Sequence, residues 1–100
     1  MLASGLQNQA VAEMHLGDFA AARPDLERAL AIQERQLGAD HLETARTRNN
    51  LGIVLQNLGD PAAARPQLER ALAIWERDLG PDHPDVALGL QTLGNSLRNA

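Results

Sequence analysis

Cysteine is absent from the 100 residues, so the chain carries no disulfide, no thiolate metal ligand and no thiol nucleophile. Lysine is absent too: all nine cationic side chains are arginine. Aromatic residues are reduced to Phe19 and Trp75. That scarcity argues against a β-sandwich, whereas the abundance of alanine and leucine favours helix. No apolar run approaches the roughly 20 residues of a membrane span. Residues 1–15 show no basic stretch ahead of an apolar one, so no secretory signal is read and a cytoplasmic location is expected. The formal net charge is −4, which makes neither a nucleic acid nor a membrane surface an expected partner. Hydrophobic residues are 44% and charged residues 22%, an ordinary globular balance, and the length suits one domain, 1–100.

What the chain does have is repetition. Leu16-Gly17-Asp18 returns as Leu58-Gly59-Asp60, Ala20–Pro24 as Ala62–Pro66, and Leu26–Ile32 as Leu68–Ile74. Asp40-His41 returns as Asp82-His83. The offset is always 42 residues, and roughly 26 of the 42 positions paired from Leu16/Leu58 onward are identical. Leu6 and Leu90 continue the phase at the two ends, as do Ala10, Gly52 and Gly94. The units read as a partial repeat over 3–37, a second repeat over 43–79 and a third helix over 84–99.

Each unit reads as two helices. Leu51, Leu55 and Leu58 recur at helical spacing with Val54 alongside, which predicts a helix from about residue 43 to 58. Gly59 ends it, Asp60 caps the next, and Pro61 stands at the first helical position, where a missing N–H costs nothing. The second helix puts Leu68, Ala71, Leu72, Trp75 and Leu79 on one stripe. Gly80 stops it, and Asp82-His83-Pro84 turns into the last helix. Pro24 and Pro66 fall about six residues into their helices, where the ring removes a hydrogen bond and crowds the preceding turn; a kink or an irregular first turn is expected. Gly52 and Gly94 sacrifice helix propensity, which predicts close helix approach at both.

The spacing Leu51-Gly52-x-x-Leu55, followed by Ala64-x-x-x-Leu68 and Ala71, resembles the tetratricopeptide repeat. The longer period and the turn from Leu79 to Pro84 resemble its kinesin-light-chain type, found also in bacterial multi-repeat arrays. The first copy departs from the pattern with Gln9 and Glu13 where the second has Leu51 and Leu55, and Arg48 stands at a position usually large and apolar. The resemblance implies an all-α fold, an antiparallel helix-pair solenoid of about two and a half repeats in a right-handed superhelix. It also implies that first-type helices line a concave groove. By phase the groove would receive Ser4, Gln7, Val11, Met14 and His15 from the first helix. The second first-type helix would offer Arg46, Asn49, Ile53, Gln56 and Asn57. The third would offer Leu88, Gln91, Asn95, Arg98 and Asn99. Side-chain amides pair with a peptide backbone and arginine clamps carboxylates, so the ligand expected is an extended or acidic peptide segment of a protein partner.

The last helix has no second-type helix after it, which leaves Leu88, Leu90, Leu93 and Leu97 as a candidate self-association face. The chain therefore reads as a stretch of a longer array or as a short protein whose copies associate. Catalysis finds no footing. Ser4 and Ser96 lack a nucleophile elbow, and the glycines form no phosphate loop. No cofactor, metal or small-molecule substrate is expected. His41 and His83 are equivalent turn residues one repeat apart, too far to share an ion, and read as caps. Glu27, Arg28, Glu34 and Arg35, echoed by Glu69, Arg70, Glu76 and Arg77, read as a solvated outer face. Trp75, whose counterpart is Gln33, is expected to pack beneath the third first-type helix.

Overall fold

The computed structural model describes residues 2–99, with side chains from Gly5 to Gly94. Five helices follow one another: α1 (Leu2–His15), α2 (Phe19–Gln36), α3 (Leu42–Asn57), α4 (Pro61–Leu79) and α5 (Pro84–Asn99). The described residues contain no strand. Short connections make successive helices antiparallel neighbours. Each helix packs mainly on the one before and the one after it, while α1 touches α3 and α3 touches α5 along one edge. The result is a helix-pair solenoid of about two and a half repeats, measuring 30 × 29 × 20 Å. None of the described helices is long and apolar enough to cross a membrane.

The ends of the helices follow from local chemistry. Asp18 and Asp60 cap α2 and α4 by accepting from the backbone N–H of Ala21 (3.3 Å) and Ala63 (3.2 Å). Gly59 and Gly80 hold φ of +86° and +87°, a conformation that strains any residue with a Cβ, and the first copy repeats both turns at Gly17 and Gly38. At the starts of α3 and α5 the cap is histidine. The Nδ1 of His41 accepts from the N–H of Glu43, and that of His83 from the N–H of Asp85, each at 3.1 Å. Both rings are thus used as helix caps, the role their position in the turn suggests.

The core runs through the stack as small residues alternating with leucines. Ala22, Leu26, Leu51, Val54, Leu55, Ala64 and Leu68 form one cluster. Ala45, Ala71, Leu72, Ile74, Trp75 and Val86 form the next. Gly52 is where α3 and α4 press together: a Cβ there would lie 2.4 Å from Cδ2 of Leu68, a side chain with no exposed surface. Gly94 holds the equivalent place on α5, yet a Cβ there meets nothing within 4 Å, contrary to expectation. No described helix lies on that side of α5 to press on it. The mirror of this is α1. No described helix lies on its outer side, so Gln9 is exposed and Glu13 half-buried where Leu51 and Leu55 are buried.

Three further expectations change. Helix runs unbroken through Pro24 and Pro66, with no irregular first turn. The carbonyls these prolines leave unpaired belong to Ala20 and Ala62, which are exposed and can bind water. Leu58 does not join the buried stripe: it caps α3 and is 40% exposed, as its counterpart Leu16 is exposed at 84%. Arg48 is buried and keeps its charge paired. Its guanidinium donates to Gln67 of α4 and Glu34 of α2, both at 2.9 Å, while its Nε has no partner.

Candidate functional site: the concave face of α1, α3 and α5

The two repeats differ most in one layer. In the first, Gln33 of α2 lies buried between α1 and α3, donating to Gln7 Oε1 at 3.4 Å and accepting from the hydroxyl of Thr47. Forty-two residues on, Gln33 becomes Trp75 and Thr47 becomes Gly89. A Cβ on Gly89 would sit 3.2 Å from Leu72, a tight contact, and 3.5 Å from the indole, an ordinary one, so α5 lies close over both side chains. Trp75 is buried there, where the sequence pattern puts it.

The exchange leaves a polar group stranded. Asn49 is the counterpart of Gln7, but the layer beside it no longer contains a glutamine donor. Asn49 is 3% exposed and its Oδ1 has no hydrogen-bond partner. An unsatisfied buried acceptor costs about 1–3 kcal/mol. The residue borders a concavity of about 610 Å³, formed by Gln7 and Val11 of α1, Glu43, Arg46 and Asn50 of α3, and Asp85 and Leu88 of α5, with Trp75 among its walls.

A second hollow of about 330 Å³ adjoins it, sharing Val11 and Asn50. Its walls are mostly apolar: Met14, Phe19 and Ile53, with His15 and Asn57 completing them. The concave face therefore has a polar level near the first turns of α3 and α5 and an apolar level toward the ends of α1 and α3.

The structure brings several of the residues expected in the groove to the edges of the two hollows. Gln7, Val11, Arg46 and Asn49 meet in the polar level, and Val11, Met14, His15, Ile53 and Asn57 in the apolar one. Some of these are engaged within the protein, and others border neither hollow. Gln7 is buried and its amide oxygen is engaged by Gln33. Gln56 spans α3 and α5, its Nε2 donating to the carbonyl of Thr92 at 2.8 Å. Asn57 turns back to its own helix, donating to the carbonyl of Ile53 at 2.8 Å. Gln91 is exposed and borders neither hollow. The side chains of Ser4, Asn95, Arg98 and Asn99 lie outside the described residues.

The four leucines of the last helix do not share one face. Leu88 borders the polar hollow. Leu93 packs inward against both core clusters. Leu90 alone among the described ones points away from the stack, 52% exposed. The side chain of Leu97 lies outside the described residues. Sequence reasoning missed Asn8, Glu43, Asn50, Trp75, Asp85 and Phe19 as lining residues. Glu43 and Asp85 had a visible signal: they are a matched acidic pair one repeat apart. Among the described residues no group of three or more His, Cys, Asp or Glu could hold a metal ion.

A family model described as tetratricopeptide repeat matches residues 2–74 and, in a second register, 49–99. No curated protein matches the chain.

Proposed function

We propose that this chain, which belongs to the tetratricopeptide repeat family, is a non-catalytic scaffold whose concave face holds an extended segment of a partner protein. Repeats of this family are generally protein–protein interaction modules, which supports the broad reading. The observation that carries the finer one is the cleft of about 610 Å³, which is large enough for several peptide units and is walled by Arg46 and the amide of Asn50. A peptide backbone laid in that cleft could pair with both. The 42-residue period supports the kinesin-light-chain-type reading of the repeat, and the proposed setting is the cytoplasm.

The test is selection from a random library of linear peptides on the purified chain, followed by NMR amide-shift mapping with the peptides recovered. Shifts at Val11, Arg46, Asn50 and Ile53 are expected, and Arg46→Ala should weaken binding. Failure to recover any peptide, or shifts confined to α2 and α4, would refute the groove.

A second reading is favoured by one observation. Leu90 is exposed at the position where its counterpart Leu6 packs on Ala29 and Ile32 of α2. Copies associating through that face would bury it. Light scattering over a hundredfold concentration range decides this: a constant monomer mass, or a dimer that persists in Leu90→Glu, removes the reading.

A further inference from the structure

We infer that the concave face selects a partner segment bearing a basic side chain and, about 10 Å along it, a large apolar one; this rests on the groove reading above. The two hollows supply the argument. They share Val11 and Asn50 and lie side by side along α1 and α3, so one extended ligand can be laid over both. Arg46 borders the polar level and Ile53 the apolar one, seven residues apart on α3. At about 1.5 Å per residue the levels are separated by about 10 Å. Extended chain covers that in about three residues.

The chemistry of the polar level favours a donor carrying positive charge. Its ionisable walls are Glu43, Asp85 and Arg46, two carboxylates against one guanidinium. Among the described residues no cationic side chain pairs with Glu43. The His83 Nδ1 lies 3.9 Å from the Asp85 carboxylate and accepts from the Asp85 backbone N–H. An acidic ligand side chain brings only acceptors and meets two like charges. A lysine or arginine brings donors for the carboxylates of Glu43 and Asp85. Arg46 remains free to meet a backbone carbonyl of the same segment.

The apolar level gives the second half of the recognition. Met14, Phe19 and Ile53 are half-buried and open on the same hollow, so a leucine-sized side chain completes their packing.

The probes are fluorescein-labelled decapeptides of Gly and Ser carrying one Leu and, two to four residues away, one Lys, Ser or Glu. Fluorescence polarisation is measured against the whole chain. Leu–Lys peptides are expected to bind about tenfold or more tightly than Leu–Glu peptides, with Leu–Ser between them. Replacing Leu by Ser in the Leu–Lys series should abolish binding. Glu43→Lys, at an exposed position that leaves the fold intact by circular dichroism, should invert the Lys–Glu order. Met14→Glu should remove the dependence on Leu. Equal or tighter binding of the Leu–Glu series, or an order indifferent to Glu43→Lys, overturns the inference while leaving the peptide groove standing. If none of the decapeptides binds and the random library also yields none, inference and groove fall together.

Discussion

One substitution made at two equivalent sites separates packing from helix propensity. Gly52 and Gly94 occupy the same place in successive repeats, both within helices. Alanine gains about 0.8–1 kcal/mol over glycine in a helix interior. At Gly94 nothing opposes the gain, because a Cβ there meets no atom within 4 Å. Gly94→Ala should therefore stabilise by somewhat under about 1 kcal/mol, reduced by fraying near the end of α5. At Gly52 the new methyl would stand 2.4 Å from Cδ2 and 2.6 Å from Cγ of Leu68. Clearing a Cγ means moving the whole side chain, and Leu68 is fully buried among α2, α3 and α4 residues. Overpacking of this kind costs about 1–3 kcal/mol. Gly52→Ala should then be destabilised by up to about 2 kcal/mol, and the two variants should differ by about 1–3 kcal/mol in opposite senses. In a chain of this size each kcal/mol moves Tm by about 4–8 °C. Urea titration followed at once by circular dichroism and Trp75 fluorescence would measure both. A Gly52→Ala variant as stable as Gly94→Ala would refute the close-approach argument.

Arg48→Ala should cost about 1–3 kcal/mol, because it strands Gln67 and opens a cavity, whereas Arg48→Leu, the residue at the equivalent positions 6 and 90, should recover most of the loss in the same titration. His41→Ala and His83→Ala should each cost about 1 kcal/mol by removing a cap, and the corresponding Asn variants should cost little; chemical denaturation of the four proteins checks this. Hydrogen bonding with Asp25, partial burial and the charges of Asp25 and Asp18 together raise the Glu13 carboxyl above its ordinary 4.5. A raised folded-state value means that the folded chain holds this proton more tightly than the unfolded one. Its contribution is fully present below about the ordinary value and is lost as pH rises through the folded-state value. Glu13→Gln should therefore raise Tm at pH 7, and the advantage should disappear as the pH falls toward 4.5, as thermal melts across pH would record.

The helices and their boundaries were legible because their signals are local. Aspartate before alanine, glycine after leucine and histidine before an acidic residue each act within one turn, and the repeat presents nearly every signal twice. The groove was legible as a register, since a position known in one repeat is known in the next. What escaped detection depends on neighbours distant in sequence. Gln56 looks like a groove amide until the carbonyl of Thr92 on α5 claims it. Leu93 looks like part of an end face until the side of α5 that meets α4 is known. Gly52 and Gly94 are the same letter at the same phase, and only the presence or absence of Leu68's counterpart tells them apart. The proline reading failed for another reason. The lost hydrogen bond was real, but it fell on solvent-facing carbonyls in the first turn, where water replaces it.

The pattern of helix contacts also has a kinetic consequence. Every major interface joins helices adjacent in the chain, through connections of three to five residues. Little chain entropy is lost in closing such short loops, so formation of the first helix pair does not wait for a distant segment to arrive. Low contact order of this kind belongs to domains that fold in microseconds to milliseconds. Structure can nucleate at either pair and spread outward, with α3 in the middle bridging the two. The same connectivity means that α5, held mainly by α4, should open first under stress, exchanging its amide hydrogens well before the α2–α3–α4 centre does.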